Sequence, residues 1–184
     1  YQLTRGDLTE ETILGMMTRR FHGVWKEITA TGQPGLSRHQ VVTLASIVEK
    51  ETGAAAERPL IARVFLNRLA RNMRLQSDPT VIYGIENFDG DLTGKHLRLE
   101  TPYNTYVIDG LPPGPICSPG RKAMEAVLRP ADNPALFFVS KNDGTHHFSI
   151  SLNEHNQAVS MYQKKKKGSE KEQPPAAEDG QDQP

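Results

Sequence analysis

The sequence predicts an α+β fold in which a helical core carries a small antiparallel β element. Apolar residues recur at helical spacing in several segments that begin at capping residues and end at glycines. Two short runs, 136–139 and 147–150, are predicted strands, and the Asn-Asp-Gly sequence at 142–144 is a strong hairpin-turn signal. With 184 residues the chain can bury a core of its own, so folding needs neither a disulfide nor a structural metal.

The periodicity predicts six helices in chain order. The first spans about 8–30 and starts near Thr9 and Thr12. The second spans about 38–52, with Ser37 as its N-cap and Gly53 as its stop. In the short fourth helix, Asp78 is the predicted cap and a proline occupies the first turn. The remaining helices are predicted at about 55–72, 119–129 and 151–162.

The sequence predicts one domain over 1–163, with a core at about 37–162 that follows the helix at 8–30. The segment 86–118 is rich in Gly and Pro and is predicted to be loop, with one short strand at 106–108. From residue 164 the apolar periodicity stops, and 164–184 is predicted to be a disordered polar tail. Its four lysines, 164–167, are interpreted as solvated; contact with an anionic polymer or lipid is the alternative.

Composition excludes several classes of protein. The 22 basic and 22 acidic residues cancel, so the sequence lacks the excess of Lys and Arg typical of nucleic-acid binding. One cysteine, Cys117, allows no intrachain disulfide. The sequence contains no run of about 18 apolar residues and no signal peptide, so we expect the chain itself to be soluble. Because it opens at Tyr1, we expect that a part with a membrane anchor precedes it in the parent protein.

The second helix ends with two glutamates, Glu49 and Glu51, on opposite flanks of its apolar stripe, and Lys50 is expected to point away. Periodicity alone leaves open which of the two faces a pocket, and both could be surface charges. Glu51 lies in the last turn, where unpaired carbonyl groups make the helix end partly negative. That field and any burial would raise its pKa, which a general acid needs.

Two further segments combine hydrogen-bonding groups with apolar ones, as carbohydrate sites do. In the segment 75–84 these groups come from Gln76, Ser77 and Tyr83, although a helix cap with one buried tyrosine is the plain structural interpretation. The segment 100–116 is a long loop with Tyr, Asn and Pro, and such a loop is either functional or a rigid connection.

Other catalytic chemistry has little support in the sequence. His146, His147 and His155 are close together, but no HExxH pattern, HxH pair or cysteine partner accompanies them, so we expect no metal and no cofactor. We expect His146 or His155 to be a hydrogen-bonded structural or pocket-lining group. The sequence also lacks a glycine-rich phosphate loop and a GxSxG elbow.

Taken in order, these segments resemble the MltG/YceG-like family of endolytic murein transglycosylases. The resemblance covers about 40–162 and departs from the family pattern at Cys117, where a small or aliphatic residue is expected. It implies a lysozyme-like fold at the second helix and a lyase whose single catalytic acid/base is Glu51. The matching stretches are ASIVEKET at 45–52, ERPLIARVFLNRL at 57–69, MRLQSDPTVIYGI at 73–85, LETPYNTYVIDGLPPGPICSPG at 99–120 and HHFSISLNEHN at 146–156.

The resemblance also implies a reaction. The bond between N-acetylmuramic acid and N-acetylglucosamine would be cleaved with a 1,6-anhydro end and no cofactor, which would limit glycan strand length during wall synthesis. The implied partners are peptidoglycan strands and cell-wall synthases, at the bacterial inner membrane, where a single-pass anchor would hold the domain on the periplasmic or outer side. The residues implied to hold the glycan are Gln76, Ser77, Asp78, Thr80, Tyr83, Tyr103, Asn104, Thr105, Leu111, Pro112 and Gly114.

Two alternatives remain open at the level of sequence. A muramidase would use the same acid with water as the attacking group, and Glu49, Glu57 or Glu100 would be the second carboxylate. A non-catalytic peptidoglycan-binding domain would bind glycan regardless of a Glu51→Gln substitution and would cleave nothing. The reducing end of the product separates the two enzymes, because only the transglycosylase leaves an anhydro end.

Overall fold

The computed structural model describes residues 9–30 and 35–163, so the predicted tail lies outside the described residues. Six helices and a two-stranded antiparallel sheet confirm the α+β prediction. Within these ranges no helix is long and apolar enough to cross a membrane. The elements are α1 (Glu10–Ile28), α2 (Arg38–Glu51), α3 (Arg58–Ala70), α4 (Asp78–Tyr83), α5 (Arg121–Leu128), β1 (Phe137–Ser140), β2 (His146–Ser149) and α6 (Leu152–Tyr162), with 3-10 turns at Ala55–Glu57 and His96–Arg98.

The described residues divide into two compact units, one that ends at residue 134 and one that begins at residue 135. In the first unit α2 is the central helix and packs against α3, α4 and α5. Val41 and every residue from 43 to 48 are buried, so α2 is enclosed on nearly all sides and its charges lie at its ends. Each buried Leu, Ile or Val of this helix stabilises the fold by roughly 1.5–3 kcal/mol.

The predicted caps of α1 and α2 are confirmed. Thr9 Oγ1 accepts a hydrogen bond from the backbone N–H of Thr12 at 3.2 Å. Ser37 and Gln40 form a capping box, in which Ser37 Oγ accepts from the Gln40 N–H and Gln40 Oε1 accepts from the Ser37 N–H. The start of α2 is thus held in place at the opposite end from Glu51.

Two local predictions are wrong. Asp78 is the first helical residue of α4, and Ser77 is its N-cap residue. The predicted strand at 106–108 is a turn, because the N–H groups of Val107 and Ile108 both donate to the carbonyl of Asn104 at 3.0 Å. Residues 106–108 have high β propensity but form no strand. A nearby carbonyl accepts from their backbone N–H groups, and within the described residues no other strand pairs with them.

The second unit contains the predicted hairpin, with each strand shifted by one residue from its predicted bounds. Phe137 pairs with Ser149 and Ser140 pairs with His146. The turn between the strands includes a left-handed Gly144, with a φ of 86°. Helix α6 packs against both strands, and the ring of His155 stacks on Phe137 with centroids 5.3 Å apart.

Candidate active site

Glu51 is the last residue of α2, and its side chain meets the segment that leads into α4. Ser77 Oγ donates a hydrogen bond to Glu51 Oε1 at 2.5 Å. Burial raises the pKa of the Glu51 carboxyl to about 7; the Ser77 hydrogen bond opposes that rise, nearby Asp78 adds to it, and the charge of Arg68 opposes it. Glu51 is therefore a carboxyl group that keeps its proton in a large fraction of molecules at neutral pH.

The hydroxyl of Ser77 serves Glu51 because α4 does not need it as a cap. A capping side chain accepts a hydrogen bond from the second or third N–H of the helix. Here the second position is Pro79, which has no N–H, and the third N–H, of Thr80, already donates to the Ser77 carbonyl at 3.1 Å. Ser77 makes no capping bond and is 1% exposed, so its hydroxyl faces Glu51 in the protein interior.

The segment before Ser77 is held by a buried arginine of α3. Arg68 Nη1 donates to the carbonyl oxygens of Leu75 at 2.8 Å and Arg74 at 3.2 Å, and to Gln76 Oε1 at 3.3 Å. Gln76 has a φ of 51°, in the left-handed region that costs a non-glycine residue on the order of 1–3 kcal/mol. Such a conformation persists only where neighbours impose it, and Arg68 is one of them.

Thr105 holds the same segment from the opposite side. Its carbonyl accepts from the Gln76 N–H at 3.1 Å, and its Oγ1 accepts from the Ser77 N–H at 2.9 Å. Thr80 Oγ1 lies 2.8 Å from Thr105 Oγ1. The preceding residue, Asn104, donates from Nδ2 to loop carbonyl groups and accepts the Tyr106 N–H at Oδ1. These fully buried groups fix the loop that positions Ser77.

Asp78 is a second carboxylate near Glu51, and its orientation is set by Tyr106. The Tyr106 hydroxyl donates to Asp78 Oδ1 at 2.6 Å. Burial and this hydrogen bond raise the pKa of Tyr106, so the phenol stays protonated and remains a donor. Arg74 Nη1 in turn donates to the Tyr106 carbonyl at 3.0 Å.

An aromatic pair lies at the other end of α4. The rings of Tyr83 and Tyr103 have centroids 4.7 Å apart, and Tyr83 is about half exposed. The hydroxyl of Tyr103 lies 3.5 Å from where a Cβ on Gly114 would be, so the loop and the tyrosine pack closely. His39, near the start of α2, holds the same loop through a 2.8 Å hydrogen bond between Nε2 and the Pro113 carbonyl.

The predicted site residues thus fall into two groups. Gln76, Asp78 and Tyr83 are exposed, while Tyr103 and Leu111 are half-buried. The others are buried, and their contact with a glycan stays a prediction; these are Ser77, Thr80, Asn104, Thr105, Pro112 and Gly114.

Nothing in the sequence marked Arg68, Tyr106 or the cavity that Lys50 lines as part of the site. Periodicity places Arg68 on a helix but gives no signal that it is buried, since arginine is almost never buried unless paired. Tyr106 was assigned to a strand. Lys50, expected to point away, is exposed and lines a cavity of about 370 Å³ together with residues of α4 and Ile116.

Glu49 has different neighbours. Its Oε1 lies 3.5 Å from Arg58 Nη2 at the start of α3, and its Oε2 lies 3.6 Å from where a Cβ on Gly120 would be. Glu49 therefore faces α3 and the start of α5, whereas Glu51 faces Ser77.

Comparisons with known proteins agree with the resemblance. A model of the YceG-like family matches residues 1–161. A Bacillus subtilis protein named endolytic murein transglycosylase is 42% identical over 127 residues, which are 69% of this chain and 35% of that protein. A Streptococcus pneumoniae protein of the same name is 32% identical over 133 residues, 69% of this chain and 24% of that protein.

A solved structure shares the fold. The crystal structure of a YceG-like protein from Listeria monocytogenes has a TM-score of 0.73 and 38% sequence identity, and the match covers 85% of this chain and 51% of that one. The chain spans about a third or less of the length of these two named relatives.

Proposed function

The chain belongs to the YceG-like family, and from that membership we propose that residues 1–163 are the catalytic domain of an endolytic murein transglycosylase. The substrate is the glycan strand of peptidoglycan, and the bond cleaved joins N-acetylmuramic acid to N-acetylglucosamine. The observation that carries this proposal is the half-buried Glu51 side chain, whose pKa of about 7 suits a group that gives and takes a proton in one cycle.

In the first step the protonated Glu51 donates its proton to the glycosidic oxygen. The bond between that oxygen and C1 of the muramic sugar breaks, and N-acetylglucosamine leaves with a free 4-hydroxyl group. Positive charge develops at C1 and the ring oxygen, as in other glycosidic cleavages. The Glu51 carboxylate that remains lies next to this charge.

In the second step the C6 hydroxyl of the same muramic sugar attacks C1, and the Glu51 carboxylate takes the hydroxyl proton. The new C6–O–C1 bond closes a 1,6-anhydro ring, and Glu51 regains its proton. No water is consumed, so one carboxyl group suffices. Ser77 donates to Glu51 Oε1 and thereby orients the carboxyl, and Arg68 holds the backbone that presents Ser77.

Glycan contact falls to the accessible members of the predicted set, which are Gln76, Asp78, Tyr83, Tyr103 and Leu111. Tyr83 offers an exposed ring face against which the apolar side of a sugar can pack. Thr80, Asn104 and Thr105 are fully buried and make hydrogen bonds within the protein. Their role is to hold the loop that positions Ser77.

The test is to incubate the full chain with uncrosslinked peptidoglycan strands and measure product masses. A transglycosylase yields fragments one water lighter than the corresponding hydrolysis products, and the Glu51→Gln variant yields none. Glycan binding without cleavage by the wild type would favour a binding domain and refute the proposed function.

The muramidase alternative has one observation in its favour. Glu49, one of its predicted second carboxylates, pairs with Arg58, but the field of Asp78 reaches Glu51 and raises its pKa. If the enzyme hydrolyses, we propose Asp78 as the second carboxylate, in place of Glu49. Products with free reducing ends would establish that reading.

Place of action and partners follow from the proposed activity. We propose that the domain acts at the cell wall and limits glycan strand length during synthesis. An anchor elsewhere in the parent protein would hold it at the inner membrane, next to cell-wall synthases. Co-purification of a synthase with the full-length parent protein, and its loss when the anchor is removed, would test this arrangement.

A further inference from the structure

A cavity of about 370 Å³ lies between the end of α2 and α4, and it is lined by Lys50, Pro79, Ile82, Tyr83 and Ile116. Lys50 directly precedes Glu51 on α2, and Pro79 directly follows Asp78 on α4, so two of the lining residues are chain neighbours of the two carboxylates. Neighbouring residues of a helix point about 100° apart, so Lys50 and Glu51 diverge from the same helix end. The volume of the cavity is at the small end of the range of about 300–1,000 Å³ typical of ligand pockets.

The lining has two chemical characters. Proline, two isoleucines and the ring of Tyr83 form an apolar wall, and Lys50 adds one positive charge. In the described part of the chain Lys50 makes no ion pair, so its ammonium group can donate a hydrogen bond to an acceptor on a ligand. The ammonium also acts on Cys117, next to Ile116: burial raises the pKa of that thiol, and Lys50 lowers it.

A ligand that fits this lining carries a small apolar group next to a carbonyl or carboxylate oxygen. The substrate of the proposed function carries such groups close to the scissile bond. Both sugars have an acetamido methyl next to a carbonyl, and muramic acid alone adds a methyl next to a carboxyl group, which is the better match for a lysine ammonium. In N-acetylmuramic acid the lactyl ether on O3 has a methyl group and a carboxyl carbon, which is free in peptide-free strands and amide-linked in peptide-bearing strands. N-acetylglucosamine lacks this lactyl group and therefore offers no carboxyl group to Lys50.

We propose that this cavity is a subsite for the lactyl group of the muramic sugar that is cleaved. The methyl group packs against Pro79, Ile82 and Ile116, and the carboxyl or amide oxygen accepts a hydrogen bond from the Lys50 ammonium. This inference rests on the proposed function. It makes the cavity the feature that distinguishes muramic acid from glucosamine at the cleaved position.

The test is a binding measurement in the Glu51→Gln background, where strands are not cut. Affinity is measured for peptide-free glycan strands, peptide-bearing strands and chitooligosaccharides of matched length, with and without Lys50→Met. Met keeps the length and apolar stem of lysine but removes the charge. We expect a loss of about tenfold for both muramic ligands, larger for the peptide-free form, because a charge-assisted hydrogen bond is removed. Chitooligosaccharide affinity should not change.

The matched control is Lys122→Met on α5, where Lys122 is exposed and pairs with Glu125, and it should bind all three ligands like the parent. An equal loss for chitooligosaccharides would overturn the assignment, since they have no lactyl group. A loss confined to peptide-bearing strands would overturn it too, because the stem peptide would then be the contact. Unchanged affinity in Lys50→Met, with cleavage by the wild type intact, would refute the subsite alone and leave the proposed function standing.

Discussion

Glu49 and Glu51 are two residues apart at the same helix end, yet their surroundings differ in kind. Glu49 is partly exposed and lies 3.5 Å from the guanidinium of Arg58. Glu51 has a neutral partner, the hydroxyl of Ser77, and its burial raises its pKa to about 7. Burial beside a neutral donor gives Glu51 the raised pKa that its proposed role as a general acid needs, and the contact of Glu49 with a cation gives that glutamate a structural role instead.

Substituting each glutamate should separate the two roles most clearly. Glu51→Gln should lower turnover by about 10²–10⁴-fold, because an amide neither donates nor accepts the transferred proton. Glu49→Gln should keep turnover near that of the wild type and lower the free energy of unfolding by at most about 1 kcal/mol, since it weakens one partly exposed ion pair. Product formation and thermal unfolding measure both; two equally inactive variants would contradict the assignment.

The same pair should differ in the pH dependence of stability. Between about pH 4.5 and 7 the folded wild type binds more protons at Glu51 than the unfolded chain does, so stability falls as pH rises through that window. The fall should be on the order of 3 kcal/mol. Urea unfolding from pH 4.5 to 8 should show it in the wild type and in Glu49→Gln, and Glu51→Gln should lack it. A parallel fall in Glu51→Gln would assign the effect to another group.

Arg68 on α3 holds the segment that presents Ser77 to Glu51. Its removal should lower kcat by about 10–100-fold, because small displacements at a catalytic group strongly reduce the rate. Arg68→Met should also shift the alkaline limb of the pH–rate profile upward, since the guanidinium lowers the pKa of Glu51. Arg68→Lys should return the alkaline limb of the pH–rate profile to its wild-type position, because lysine keeps the positive charge. It should restore only part of kcat, because lysine lacks the several fixed N–H donors of the guanidinium.

The control is Arg63→Met on the same helix, where Arg63 Nε donates to the Ala131 carbonyl at 2.7 Å. It should be destabilised without a change in the pH–rate profile. If both variants lose activity in proportion to stability, Arg68 has only a structural role.

Ser77→Ala should have the smallest kinetic effect, a loss of about tenfold in kcat from removing one hydrogen bond to an ionisable group. Because that bond lowers the pKa of Glu51, the alkaline limb should move to higher pH. Ser77→Thr retains the hydroxyl group, so the alkaline limb of its pH–rate profile should stay at the wild-type pH. An unshifted limb in Ser77→Ala would mean that Ser77 does not act on the acid.

The sequence predicted most elements because their signals are local. Thr9, Ser37 and the hairpin turn act within a few residues, so caps and strands were predicted to within one or two positions. Asp78 was misassigned as a cap because Ser-Asp-Pro offers two candidates, and only a distant residue, Glu51, decides where the serine hydroxyl points. The turn at 106–108 was missed because its acceptor, Asn104, is itself held by the loop around it.

By itself the sequence determined that the molecule is α+β and that a glutamate at the end of its second helix is the candidate acid. Family resemblance and helix-end electrostatics both selected Glu51 over Glu49. Only the tertiary structure decided what surrounds each carboxyl: Arg58 beside Glu49, and Ser77, Asp78 and the buried Arg68 around Glu51. The reason is physical, because desolvation and charge proximity depend on residues that are distant in the chain and become neighbours only when it folds.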